Sequence, residues 1–275
     1  MCSCVCAALL LSLPLAAAAA APRATLHMTA EGEVQIAPDG HVSDYRLSSS
    51  LAPALAGIVD RHVREWRFEP VVIDGKAVVA KTHMALNLSA EPSAAGDDQY
   101  NLRVDAVDFG APQRSPGVRP PHYPEDAVHA GVGARVLIAL TIDANGNVAE
   151  AQPYQTSLDV RTSSEGEAER WRHAFEHQSL IAVRHWHFDV SDAVDGHPLG
   201  SNAIVPIVYS LRGIGGEREV REGQWKAYVA GPLHPAPWMA PSVAEKTDLS
   251  ELKDGEAKSF GSPFKLKDDV VGSLL

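Results

Sequence analysis

The sequence predicts an α+β protein of two tandem small domains, residues 22–90 and 119–213, each a helix packed on a three-stranded, mainly antiparallel sheet. Three observations predict it. An aromatic-x-Phe-acidic string followed by an Asp-Gly pair is written twice, as WRFEPVVIDG at 66–75 and WHFDVSDAVDG at 186–196. Before each string lies an alternating apolar run that ends in Asp-Gly or Asn-Gly, and between run and string lies a stretch of helical period.

Residues 1–21 form an apolar, Ala-rich run interrupted by Pro14, which reads as a cleaved secretory signal peptide with small residues offered for cleavage at 18–21. The alternative is a membrane anchor, although a spanning helix wants roughly 20 strongly apolar residues and Ala is only weakly apolar. Cys2, Cys4 and Cys6 are the three cysteines of the chain and all lie in this leader. A chain cleaved after it has no disulfide, thiol nucleophile or thiolate metal site.

The first hairpin is predicted around VQIAPDGHV (34–42) and its counterpart around LTIDANGNV (140–148). Alternation followed by Asp-Gly or Asn-Gly marks a tight turn, because such turns need φ > 0 and Gly, Asn and Asp supply it at least cost. The continuation strands follow at 41–47 and 147–154. A helix comes next in each copy. Leu51, Leu55, Ile58, His62 and Trp66 recur at spacings of 4, 3, 4 and 4, with Pro53 in the first turn. In the second copy Ser164 and Glu167 fit a capping box, and Ala168, Trp171, Phe175, Ala182 and Trp186 form the stripe. Each helix is thus expected to run to its Trp. After an Asp-Gly turn, apolar strands close the copies at 78–88 and 203–211.

Residues 91–118 have linker composition around one short alternating piece, 102–109. Only the second copy carries the lead-in RPPHYPEDAVHAGV (119–132), in which Pro124 opens a short helix and Gly131 ends it. Past Gly213 the periodicity weakens, and the Pro-rich, charged tail 214–275 is expected to run extended and to lie on the domains through Trp225, Tyr228 and Trp238.

The set Pro121, Tyr123, Pro124, Ala127 and Gly131, the hairpin of 136–148 around Gly146, the helix ending in Trp186-x-Phe188, and the closing VPIVYSL (205–211) together resemble the C-terminal domain of the TonB energy-transducer family. The match spans 119–213, and 30–90 resembles the same domain in degenerate form, with Trp66 and Phe68 as its landmarks. The resemblance implies a periplasmic, non-catalytic module that pairs its last strand with a short extended peptide of an outer-membrane receptor. The strand edges that would do so are at Val78, Ala80 and Thr82, and at Ala203, Val205, Ile207 and Tyr209. A full transducer also has an uncleaved membrane helix and a long Pro-rich spacer, so this reading holds a tethered transducer open only if the leader is retained. A structural envelope protein whose tail masks its sheet edges is the other alternative. Pro206 lies inside the closing strand and removes one N–H there.

The net charge of −11, with 24 basic against 35 acidic residues, argues against nucleic acid as a partner, since that affinity draws on Lys and Arg neutralising phosphates. Twelve histidines prompt a search for metal, and His173 and His177 are four apart on the second helix. Without cysteine to join them they read as a polar helix surface, so no metal and no cofactor is expected. Residues 143–147 lack the remaining ligand positions of a calcium loop. His62 is expected as a hydrogen-bonded residue at the core edge. No nucleophile elbow, zinc-protease, phosphate-cradling or dinucleotide motif occurs, so no enzyme activity is expected. Trp66, Phe68, Trp186 and Phe188 are expected in the core rather than in a ligand cage. The oligomeric state is left open.

Overall fold

A computed structural model describes residues 25–93, 100–211, 227–239, 249, 252 and 254–275. The leader and Trp225 lie outside the described residues. The first half runs β1 (Leu26–Ile36), β2 (Val42–Leu47), α1 (Pro53–Glu65), β3 (Val72–Ile73), β4 (Lys76–Ala77), β5 (Ala80–Pro92), β6 (Tyr100–Phe109) and β7 (Gln113–Arg114). The second runs α2 (Glu125–Ala130), β8 (Ala134–Ile142), β9 (Val148–Leu158), α3 (Glu165–Val183), β10 (Phe188–Asp189), β11 (Ala193–Val194), β12 (His197–Pro198), β13 (Ser201–Tyr209) and β14 (Lys258–Ser259). All ladders are antiparallel, and the class is α+β.

The same device closes both hairpins. Gly40 and Gly146 take φ of +89° and +85°, and each carbonyl accepts the N–H of the Phe in the repeated string, Phe68 at 2.7 Å and Phe188 at 2.8 Å. A Cβ on either glycine would fall on that Phe carbonyl oxygen, so the turn and the string touch backbone to backbone. Trp66 and Trp186 each donate a backbone N–H to the carbonyl of the valine three residues earlier, Val63 and Val183. Both Trp-x-Phe pairs are buried, as expected. Asp74-Gly75 and Asp195-Gly196 have φ > 0 at both residues, the type I′ turn that matches strand twist.

The helix stripes differ from expectation. Helix α1 ends at Glu65, and α3 ends three residues before Trp186. Val59 and Val63 are the fully buried residues of α1, while Ile58 and His62 lie on its flank and the His62 ring bonds the Ile58 carbonyl. On α3, Arg172, Ser179 and Val183 join Ala168 and Phe175 in the interior, and Trp171 and Ala182 stay half-buried. Apolar periodicity passes over Ser179 because it is polar, but its hydroxyl pairs with the Tyr209 hydroxyl at 2.9 Å. The Ser164 cap accepts from the Glu167 N–H, and the Glu167 carboxylate reaches back to Ser163. Helix α2 is capped by Pro124 and by Gly131 in the left-handed region, as the lead-in predicts.

Neither sheet stops at three strands. The first has six, with order β12-β11-β5-β1-β2 and β6 also on β5, and the second has four, β14-β13-β8-β9. The extra strands come from outside each copy. The alternating piece inside the linker is β6, the second copy's Asp-Gly hairpin adds β11 and β12, and the tail adds β14.

Candidate functional site

The two predicted strand edges stand differently. Strand β5 pairs with β1 from Ala80 to Ala90 on one side. Its other side takes β11 at Ala80 and Lys81 and β6 from Met84 to Pro92. Val78 donates its N–H to Val71, Ala80 is fully buried, and the Thr82 hydroxyl donates to Asp192 at 2.9 Å. The expectation of an open edge at Val78, Ala80 and Thr82 is therefore corrected, because among the described residues this side of the strand is filled by other parts of the same chain.

The junction that fills it is built around Asp192. Its carboxylate accepts from Thr82 Oγ1 and, at 3.3 Å, from the His83 N–H, while Val79 and Asp195 exchange two hydrogen bonds alongside. Asp192 is 6% exposed, and burial pushes its carboxyl up to about 6 against the two hydrogen bonds. Burial likewise lowers the pKa of the His83 ring. Gly110, at φ +70°, passes so close that a Cβ would stand 2.6 Å from Asp192 Oδ2.

Strand β13 pairs with β8 along its whole length, and its odd-numbered residues carry the core. Ala203, Val205, Ile207 and Tyr209 pack with Phe175, Val183 and Trp186. Tyr209 is pushed up to about 12 by burial and forms tilted and edge contacts with Phe175 and Tyr123. The Tyr123 hydroxyl donates to the Val132 carbonyl, which ties the α2 lead-in to the sheet.

In an antiparallel strand the N–H and C=O of one residue point to the same side. The groups on the outer side of β13 belong to the even positions. Val208 donates outward to Asp254 Oδ1 at 2.8 Å, the Pro206 carbonyl accepts from Gly255, and the Asn202 carbonyl accepts from Phe260. The four residues named from the sequence thus turn their backbone groups to β8, and the presenting positions are Asn202, Ile204, Pro206 and Val208. The missing N–H of Pro206 faces outward and costs the β8 ladder nothing. Period-2 parity divides the strand into two sets, but which set faces the edge depends on strand direction and neighbours, since in β9 the buried Leu158 itself turns its backbone outward.

The tail follows edges. Residues 229–234 exchange backbone hydrogen bonds with β9 at Tyr154, Thr156 and Leu158, and residues 272–275 do so with β6 at Leu102 and Val104. Between them 254–260 lies on β13. On the sheet face away from α3, Met239, Leu249 and Phe260 cover Leu137, Ala139 and Ile204.

Chemistry on the predicted polar helix face is sparse. His173 Nδ1 lies 3.4 Å from Glu176 Oε2, and among the described residues no three His, Cys, Asp or Glu side chains converge. No described helix is long and apolar enough to cross a membrane.

The sequence is 31% identical over 97 residues to protein TonB in two strains of Xanthomonas campestris pv. campestris. About a third of this chain is TonB-like. The alignment covers 35% of the chain and spans 37% of the length of those relatives. No family model matches the chain, and no solved structure matches it. The TonB-like relationship is compatible with the α+β class.

Proposed function

We propose that this is a non-catalytic protein of the periplasm, built of two TonB C-terminal-like modules, that binds an extended segment of an envelope protein along the outer edge of β13. The partner is an outer-membrane receptor of TonB-dependent transport. One observation carries this reading: the even positions of β13 take a chain segment in antiparallel register, with Ala203 opposite Ser259 and Ile204 opposite Lys258. Strand β5, the counterpart in the first module, is used up in joining the two halves, so the second module holds the site.

Titration of the full chain with synthetic extended peptides from the periplasmic face of such receptors tests the proposal. Saturable binding is expected, with loss in Val208→Pro, which removes an outward N–H and leaves the β8 ladder whole. Absence of binding by every receptor peptide at millimolar concentration sinks it.

A second reading is a structural envelope protein without a receptor, and the tail segments on β9, β13 and β6 favour it. In that case the edges are covered against aggregation rather than held for a partner. A tethered transducer depends on residues outside the described ones, and the mature N-terminus decides it.

A further inference from the structure

We infer that residues 254–260 are an intramolecular ligand of the β13 edge, which a partner strand must displace, and that their sequence states the chemistry of that partner. The inference rests on the peptide-binding reading of β13 and adds to it both a regulatory step and a recognition pattern.

The segment DGEAKSF runs antiparallel to β13, with Ser259 opposite Ala203 and Lys258 opposite Ile204, keeps that register to Phe260 and Asn202, and steps out of it by one residue at Gly255 and Pro206. Four successive outward positions of β13 meet it. The Asp254 carboxylate caps the Val208 N–H, Gly255 donates to the Pro206 carbonyl, Lys258 stands opposite Ile204, and Phe260 donates to the Asn202 carbonyl. This is how an added strand binds a sheet edge.

The hold is nevertheless short. Only two residues of the segment form regular strand, because Pro206 offers no N–H outward and the chain leaves the ladder there through Gly255 at φ +75°. Asp254 is exposed, and its bond to Val208 is a side-chain cap rather than a ladder bond. The chain beyond the segment is anchored independently. Phe264 is buried in the core of the first half, and Glu69 and Lys267 bond across between the tail and the Trp66-x-Phe68 string. Upstream, Leu249 is buried beneath β8. The segment can therefore leave the edge, drawing Phe260 out of its cluster with Leu137 and Ile204, while the flanking anchors Leu249 and Phe264 stay fixed, and a tethered ligand of this kind competes at an effective concentration in the millimolar range.

The occupant reads as acidic-Gly-x-x-x-x-aromatic. The acidic residue answers the one outward N–H beyond Pro206. Gly lets the backbone break step opposite the proline, where a Cβ would stand 2.7 Å from the Arg114 guanidinium. The aromatic fills the apolar cluster with Leu137 and Ile204. A partner peptide that displaces the segment meets the same three demands.

The test uses the full chain and a fluorescent DGEAKSF peptide, with a scrambled peptide as control. The unaltered protein is compared with the double variant Asp254→Ala, Gly255→Pro, which removes two of the backbone attachments. Tightening of peptide binding by about tenfold or more in the variant, lost again when Val208→Pro is added, is expected. Hydrogen exchange at the Val208 amide should rise in the variant while the amides of β8 stay protected. If the double variant fails to fold, Asp254→Ala alone is read in the same way, since its side chain is exposed.

Equal binding by the two proteins overturns the inference, as does no binding by a variant whose Val208 amide is exposed. Exchange of the Gly255 amide only through global unfolding also overturns it, because the segment would then be a permanent strand. Receptor peptides that bind while the tail peptide does not would leave the proposed function standing and remove only this inference. The converse result would remove the function and keep the tail as a mask.

Discussion

Replacing Asp192 by Asn should flatten part of the pH dependence of stability, and the structure gives both its size and its sign. The carboxyl is buried where the second half's hairpin meets β5, and its pKa is pushed from the ordinary 3.8 to about 6. The groups facing it are the Thr82 hydroxyl, the His83 N–H and Gly110, none of which carries a full charge to offset the burial. A folded-state pKa above the unfolded one means stabilisation that is fully present below the unfolded value and lost as pH rises through the folded value. A difference of about two units corresponds to about 3 kcal/mol over the whole window, of which about 2 kcal/mol falls between pH 4.5 and 7.5. Asparagine keeps an oxygen for Thr82 and His83 but cannot ionise. Urea unfolding of both proteins across that range, followed by Trp fluorescence, isolates the contribution because every other titrating group cancels in the difference. The unaltered protein should lose about 2 kcal/mol relative to the Asp192→Asn variant on going from pH 4.5 to 7.5. A flat difference, or one of the opposite sign, would refute the account of the junction.

Three further outcomes are expected. Gly146→Ala should cost about 3 kcal/mol or more, since a Cβ would meet the Phe188 carbonyl, whereas Gly196→Ala, with open space around it at φ +80°, should cost only about 1 kcal/mol; thermal unfolding separates the two. Ser164→Ala should cost about 1 kcal/mol through loss of the bond to the Glu167 N–H, read from denaturant midpoints at constant slope. Tyr209→Phe should cost about 1 to 2 kcal/mol because it leaves the buried Ser179 hydroxyl without its partner, and Ser179→Ala in the same background should recover part of that loss.

The legible parts of the fold were those governed by local backbone chemistry. Asp39-Gly40, Asn145-Gly146, Asp74-Gly75 and Asp195-Gly196 turn where the sequence places turns, because few residues take φ > 0. The Ser164 cap and the Pro124 and Gly131 boundaries of α2 follow from the unpaired groups at helix ends. Less legible were the helix faces. Apolar period alone chose Ile58 and Ala182, whereas the interior took Val59, Val63 and Ser179, because the burying face is set by where the sheet lies and polar residues enter once they have a partner.

By itself, then, the sequence determined the strand-turn-strand-helix-strand order of each half and the buried role of its Trp-x-Phe pairs, since turns, caps and periodicity depend on neighbours in the chain. Only the tertiary structure decided which edges remain available. Asp192 shows why. It sits in an ordinary loop string, yet it bonds Thr82 and His83 more than a hundred positions away and closes the edge of β5. Residues 254–260 do the same for β13, with Phe260 answering Asn202 from a tail that has no periodicity to read. Edge pairing joins backbone groups, which every sequence carries alike, so its partners are chosen by packing between distant segments rather than by local pattern.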